Sequence, residues 1–106
     1  MSSPTISAPN PVVPLDVLAF AEEQGVAAYI PPLIDWLRDI LPAATRLILL
    51  LEDDPEFPDR HILFEIDAPV DVSGYVAAKQ QWSEGLSKHC PTPLMCTFRL
   101  HINPAG

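Results

Sequence analysis

Glycine is scarce in this chain: four residues in 106, with none between Gly25 and Gly74. That scarcity removes the ligand loops that depend on glycine. A G-x-G-x-x-G dinucleotide loop, a Walker phosphate loop and a G-x-S-x-G nucleophile elbow are all absent. An EF-hand calcium loop needs a central glycine too, and the acidic stretch that would supply its ligands has none. Basic residues are also few: Lys79, Lys88, Arg38, Arg46, Arg60 and Arg99 stand against 14 acidic residues, for a net charge of −8. Binding a polyanion means neutralising phosphates with clustered Lys and Arg, so direct nucleic-acid binding is disfavoured. The same charge opposes contact with anionic membranes. Cysteine is limited to Cys90 and Cys96, too few for a disulfide framework. The apolar run "LILLL" at 47–51 falls far short of the ~20 residues that cross a bilayer. The start, "MSSPTISAPNPVVP", lacks the positive and apolar regions of a secretory signal. These absences lead to the expectation of a cytoplasmic protein without a cofactor.

What is present points to one folded domain. Hydrophobic residues make up 48% of the chain, enough to bury a core, and the length suits a single domain. Thirteen prolines punctuate it. Four of them, Pro4, Pro9, Pro11 and Pro14, mark residues 1–14 as a flexible proline-rich tail. The domain is expected over 15–102, with a short tail at 103–106.

Within it, "LDVLAFAEEQG" (15–25) reads as a short helix, with Asp16 as cap and Gly25 in the left-handed position after its end. "PPLIDWLRDILP" (31–42) reads as a second helix. Its prolines sit in the first turn, where a missing N–H costs nothing. Leu33, Trp36, Leu37, Ile40 and Leu41 fall on one face at three- and four-residue spacing. The period then changes to two. "TRLILLLE" and "HILFEID" read as strands, the first apolar on both faces and the second with Ile62, Phe64 and Ile66 on one dry face. After Pro69, "DVSGYVAAKQQWSEGLSKH" reads as a third helix capped by Asp71. Its expected stripe is Val72, Tyr75, Lys79, Trp82 and Leu86, widened by Val76 and Ala78. Gly85 suggests a frayed end there, because glycine costs about 1 kcal/mol in a helix interior. "MCTFRLHI" alternates as a last strand, with Cys96, Phe98, Leu100 and Ile102 inward.

The element order α-α-β-β-α-β predicts an α+β fold: a β-hairpin plus a split β-α-β unit, with helices packed on one face. A first strand apolar on both faces suggests a central position, and hence strand order 2-1-3. The opposite, open face would carry Ile48, Leu50 and Leu63 among Arg99 and His101, and these five residues form the candidate partner-binding surface.

Acidic residues concentrate in "LLEDDPEFPDRHILFEI" (50–66). Between two strands, Asp-Asp-Pro and Pro-Asp supply turn chemistry and keep a hairpin connection wet. The fallback reading is a divalent-metal site of Asp53, Asp54, Asp59, His61 and Glu65, which would support metal-dependent hydrolysis. A nuclease-like reading pairing Asp59 with Glu65 lacks its lysine, since Asp67 stands two residues after Glu65. A zinc site from His89, Cys90, Cys96 and His101 lacks the C-x2-C knuckle of structural sites. Alternation along the last strand also sends Cys96 and His101 to opposite faces. Trp36 and Trp82 lie on apolar stripes and read as core. A small-ligand cleft between helices and sheet is a further alternative without a sequence motif behind it.

Four features taken together resemble a family of small uncharacterised bacterial proteins. They are a hydrophobic strand ending in "LEDDPE" (47–56), a second strand "ILFEID" (62–67), a helix with a late tryptophan (Trp82), and a final "FRLHI" (98–102). Members of that family look like parts of toxin–antitoxin-like gene pairs. The resemblance implies a protein-binding role and brings no catalytic residues. This chain departs from the family in its less charged third helix and its proline-rich start. The expectation is therefore a small acidic protein-interaction module, more a binder than an enzyme. It would be the neutralising member of a gene pair, or self-associate through the open sheet face.

Overall fold

A computed structural model of the chain describes residues 11–53, 60–91 and 97–104, and among these residues it holds three α-helices and a three-stranded sheet. The first helix, α1 (Leu15–Glu23), follows Pro14, whose fixed φ suits a helix entry. Asp16 lies inside the first turn rather than at the cap, its carboxylate accepting from the Val17 amide at 2.8 Å. Gly25 ends the turn with φ +73°, a left-handed geometry that a side chain resists. A 3-10 turn, Ala27–Tyr29, leads directly into α2 (Ile30–Ile40), with Pro31 and Pro32 in its first turn. Ile30, Leu33, Ile34 and Leu37 are its buried positions, spaced three and four apart as one helix face requires.

The strands β1 (Arg46–Asp53) and β2 (Arg60–Asp67) form an antiparallel pair, with Arg46 opposite Asp67 and Asp53 opposite Arg60. Helix α3 (Val72–His89) begins at Asp71, whose side chain accepts from the Gly74 amide at 2.7 Å, and it crosses over to β3 (Phe98–Asn103). β3 pairs with β2 in parallel, Ile62 beside Phe98 and Asp67 beside Asn103.

The sheet order is therefore β1-β2-β3, which corrects the expected 2-1-3 arrangement. The crossover through α3 returns to the neighbouring strand, so the unit is a simple β-α-β and β2 is central. Its Ile62, Phe64 and Ile66 are completely buried. β1 is an edge strand, although it is apolar on both faces. Apolar residues on two faces mark either a strand covered twice or an edge with an unfilled contact, and the sequence pattern is the same in both.

All three helices share one core with the inward residues of the sheet: Leu47 and Leu49 from β1, the three residues of β2, and Phe98, Leu100 and Ile102 from β3. α3 turns Ala78, Trp82 and Leu86 inward, whereas Val72 and Val76, expected on its apolar stripe, are 81% and 55% exposed. The stripe rotates toward Gly85, and the reason is Trp36. A β-carbon at Gly85 would lie 2.5 Å from Trp36 Cζ2, so only glycine lets α2 approach α3 here. Trp36 stacks between Trp82 (centroids 5.4 Å apart) and His89 (4.3 Å), and Trp82 meets the edge of Phe64 at 5.9 Å. Gly85 thus belongs to a packed helix contact rather than a frayed end. Both tryptophans sit in that contact.

Candidate functional site

The open face of the sheet is built by strand alternation. Every second residue of β1, β2 and β3 points away from the helices, and the pairing register gathers those residues into rows. One row is Arg46, Asp67 and Asn103; the next is Ile48, Glu65 and His101; the third is Leu50, Leu63 and Arg99; Glu52 and His61 follow. The five residues expected at a partner surface thus occupy two adjacent rows of one face. Their rows survive the change of strand order because alternation within a strand does not depend on its neighbours. Leu50 is 40% exposed, Ile48 and Leu63 are half-buried, and Arg99 and His101 are exposed. No described helix lies over them.

The end of the face near the second row is polar and internally bonded. His101 Nε2–H donates to Asn103 Oδ1 at 3.0 Å, and Asn103 Nδ2–H donates to Asp67 Oδ1 at 2.7 Å. Arg46 reaches the other Asp67 oxygen at 3.6 Å. This chain of donors and acceptors orients His101 along β3, beside the apolar rows. Beyond it, a cleft of about 670 Å³ opens where β3 ends and α3 begins, walled by Val70, Val72, Tyr75, Ile102 and Pro104. Its polar neighbours Asp71, His101 and Asn103 already bond to Gly74, Asn103 and Asp67, and the rest of the wall is apolar apart from the Tyr75 hydroxyl.

The hairpin residues proposed as a fallback metal site divide among several places. Asp53 accepts from Arg60 Nε at 2.9 Å at one exposed end of the β1–β2 ladder. His61 is only 3% exposed and donates through Nε2 to Glu52 at 2.6 Å, while its Nδ1 is buried without a hydrogen-bond partner. Glu65 lies four residues further along β2, about 13 Å at strand rise, beside His101. Asp54 and Asp59 lie outside the described residues. Among the described residues no three His, Cys, Asp or Glu side chains come together as a metal would need. The zinc alternative disperses as well: His89 stacks on Trp36 on the helix side, His101 lies on the open face, and Cys96 is outside the described residues.

Two features were not legible in the sequence. One is the Glu52–His61 pair, which exists because the register sets those two residues opposite each other. The other is Lys79, expected in an apolar stripe, whose ammonium donates to the Leu100 carbonyl at 2.7 Å and so occupies an acceptor of β3.

The fold and its face define a small α+β protein with a mixed three-stranded sheet, helices on one side and a partly apolar surface on the other. No family model matches the chain, and no curated protein or solved structure matches it either. Among the described residues no helix is long and apolar enough to cross a membrane.

Proposed function

We propose that the protein is an acidic protein-interaction module of the bacterial cytoplasm. It binds a protein partner through the open sheet face, as the neutralising member of a gene pair would. The observation that carries this reading is the cluster of Ile48, Leu50 and Leu63, uncovered by any described helix and bordered by Arg99, Glu65 and His101. An apolar centre with a polar border is the usual anatomy of a protein interface. The charge of −8 favours a basic partner, because complementary charge speeds encounter and rejects acidic competitors.

Leu63→Asp tests the reading, since Leu63 lies on the central strand and belongs to the face alone. Tagged protein purified from its native cells should retain a partner in fixed stoichiometry. The variant, folded by circular dichroism, should lose that partner with at least about a tenfold drop in affinity. Equal retention by both proteins would remove the face from consideration.

A further inference from the structure

We propose that β1 is the dimer contact of this protein: two copies join edge to edge through antiparallel β1 strands, making one six-stranded sheet. The starting point is an asymmetry between the two edges. At β3 a backbone acceptor, the Leu100 carbonyl, is taken by Lys79. Along β1, eight residues and about 27 Å of strand, the interior reads Leu-Ile-Leu-Leu-Leu, without a lysine, a proline or a bulge. Those are the devices that keep an edge strand from pairing with another chain. Among the described residues nothing pairs with that edge.

The occupant follows from self-complementarity. A two-fold axis normal to the sheet keeps both helix layers on one side, so paired residues must share a face and only every second register is allowed. Centring the axis on Leu49 sets Leu47 against Leu51 of the second copy and Leu49 against itself on the helix side. On the open side it sets Ile48 against Leu50 and Arg46 against Glu52. Like meets like in the middle, and opposite charges meet at both ends. Sliding the strands by two residues either way places Arg46 against Leu50, or Glu52 against Ile48, and loses both ion pairs. One register is therefore favoured over its neighbours by its two Arg46–Glu52 pairs.

The rows of the face gain by the same operation. Leu63 and Leu50 of one copy continue into Ile48 of the other, and the two-fold repeats this in the adjacent row. Six apolar side chains then form one patch astride the axis, with Glu65, Arg99 and His101 around it. Arg46 comes to lie between its own Asp67 and the second copy's Glu52. Both Arg46 and Glu52 keep more than half of their side-chain surface exposed for that contact. α1 contacts β1 and carries two exposed leucines one turn apart, Leu15 at 85% and Leu18 at 37%.

The face can bind a partner without the edge pairing, and the edge can pair without the face binding anything further. The two are separated by Leu63→Asp: Leu63 lies one strand in from the joined edge, so the variant should still dimerise through β1, at most slightly more weakly, while partner retention is abolished. Sedimentation of the wild-type chain over a concentration series, at an ionic strength that confines net repulsion to about 8 Å, should show a monomer–dimer equilibrium. Arg46→Glu and Glu52→Arg should each weaken the dimer by about tenfold, since each turns both ion pairs into like-charge pairs. Mixing the two variants should restore it as a heterodimer, in which both ends are again matched. A defect of folding would not be rescued by mixing. In the wild type, the alternate amides of residues 46–52 that point away from β2 should gain hydrogen-exchange protection as concentration rises, with no substitution needed. A wild-type chain that stays monomeric, variants that dimerise as it does, or a mixture that stays monomeric would each overturn the proposal.

Discussion

Gly85 shows how one residue sets a helix contact. In isolation a glycine inside an 18-residue helix is a defect, and alanine would be the better helix former by about 1 kcal/mol. Here the missing β-carbon is the space that Trp36 fills, at 2.5 Å from where that carbon would sit. The ring has little room to retreat, because Trp82 and His89 stack on it. Gly85→Ala should therefore destabilise the protein, by about 1–3 kcal/mol as overpacking does, despite the gain in helix propensity. Urea unfolding followed by tryptophan fluorescence checks this. The companion Trp36→Ala/Gly85→Ala double variant should show the helix-propensity gain reappearing relative to Trp36→Ala alone. Propensity was legible in the sequence; the contact with a tryptophan 49 residues away was not.

Elements obey their local signals more faithfully than single side chains do. Asp71 caps α3 as its position before an apolar helix announces, and Gly25 adopts the left-handed geometry that a helix end favours. Asp71→Ala should cost about 1 kcal/mol, the usual worth of a side-chain cap, and should lower helicity at the α3 start more than elsewhere. Hydrogen exchange at Gly74 and Tyr75 reads that out, because the Asp71 side chain and carbonyl accept from those two amides. The strands also follow their period, which is why Ile48, Leu50, Leu63, Arg99 and His101 share one face. Their order does not follow from period. Strand β1 carries the composition of a central strand at the edge of the sheet, and that mismatch is the basis for expecting a second copy alongside it.

For the molecule as a whole, the core turns on Phe64. It sits on the central strand with no exposure, touches Trp82 of α3 edge-on at 5.9 Å and lies the same distance from Phe98 of β3. Losing a fully buried phenylalanine costs about 3–5 kcal/mol, against a total stability for such a domain of about 5–15 kcal/mol. Phe64→Ala should therefore leave little or no cooperative unfolding transition in thermal circular dichroism. Phe64→Leu, which keeps much of the volume, should retain a single transition at lower temperature.

Sequence alone determined the elements, their order, the described inward residues of each strand and the lack of glycine-loop motifs. Each of these depends on local backbone geometry or on periodicity along a short segment. Tertiary structure decided which strand is central, that Gly85 receives Trp36, that His61 is buried against Glu52, and that Val72 and Val76 stay outside. Those outcomes depend on which surfaces compete for the same core. Such competition is settled between segments far apart in the chain, where no local pattern carries a record of the winner.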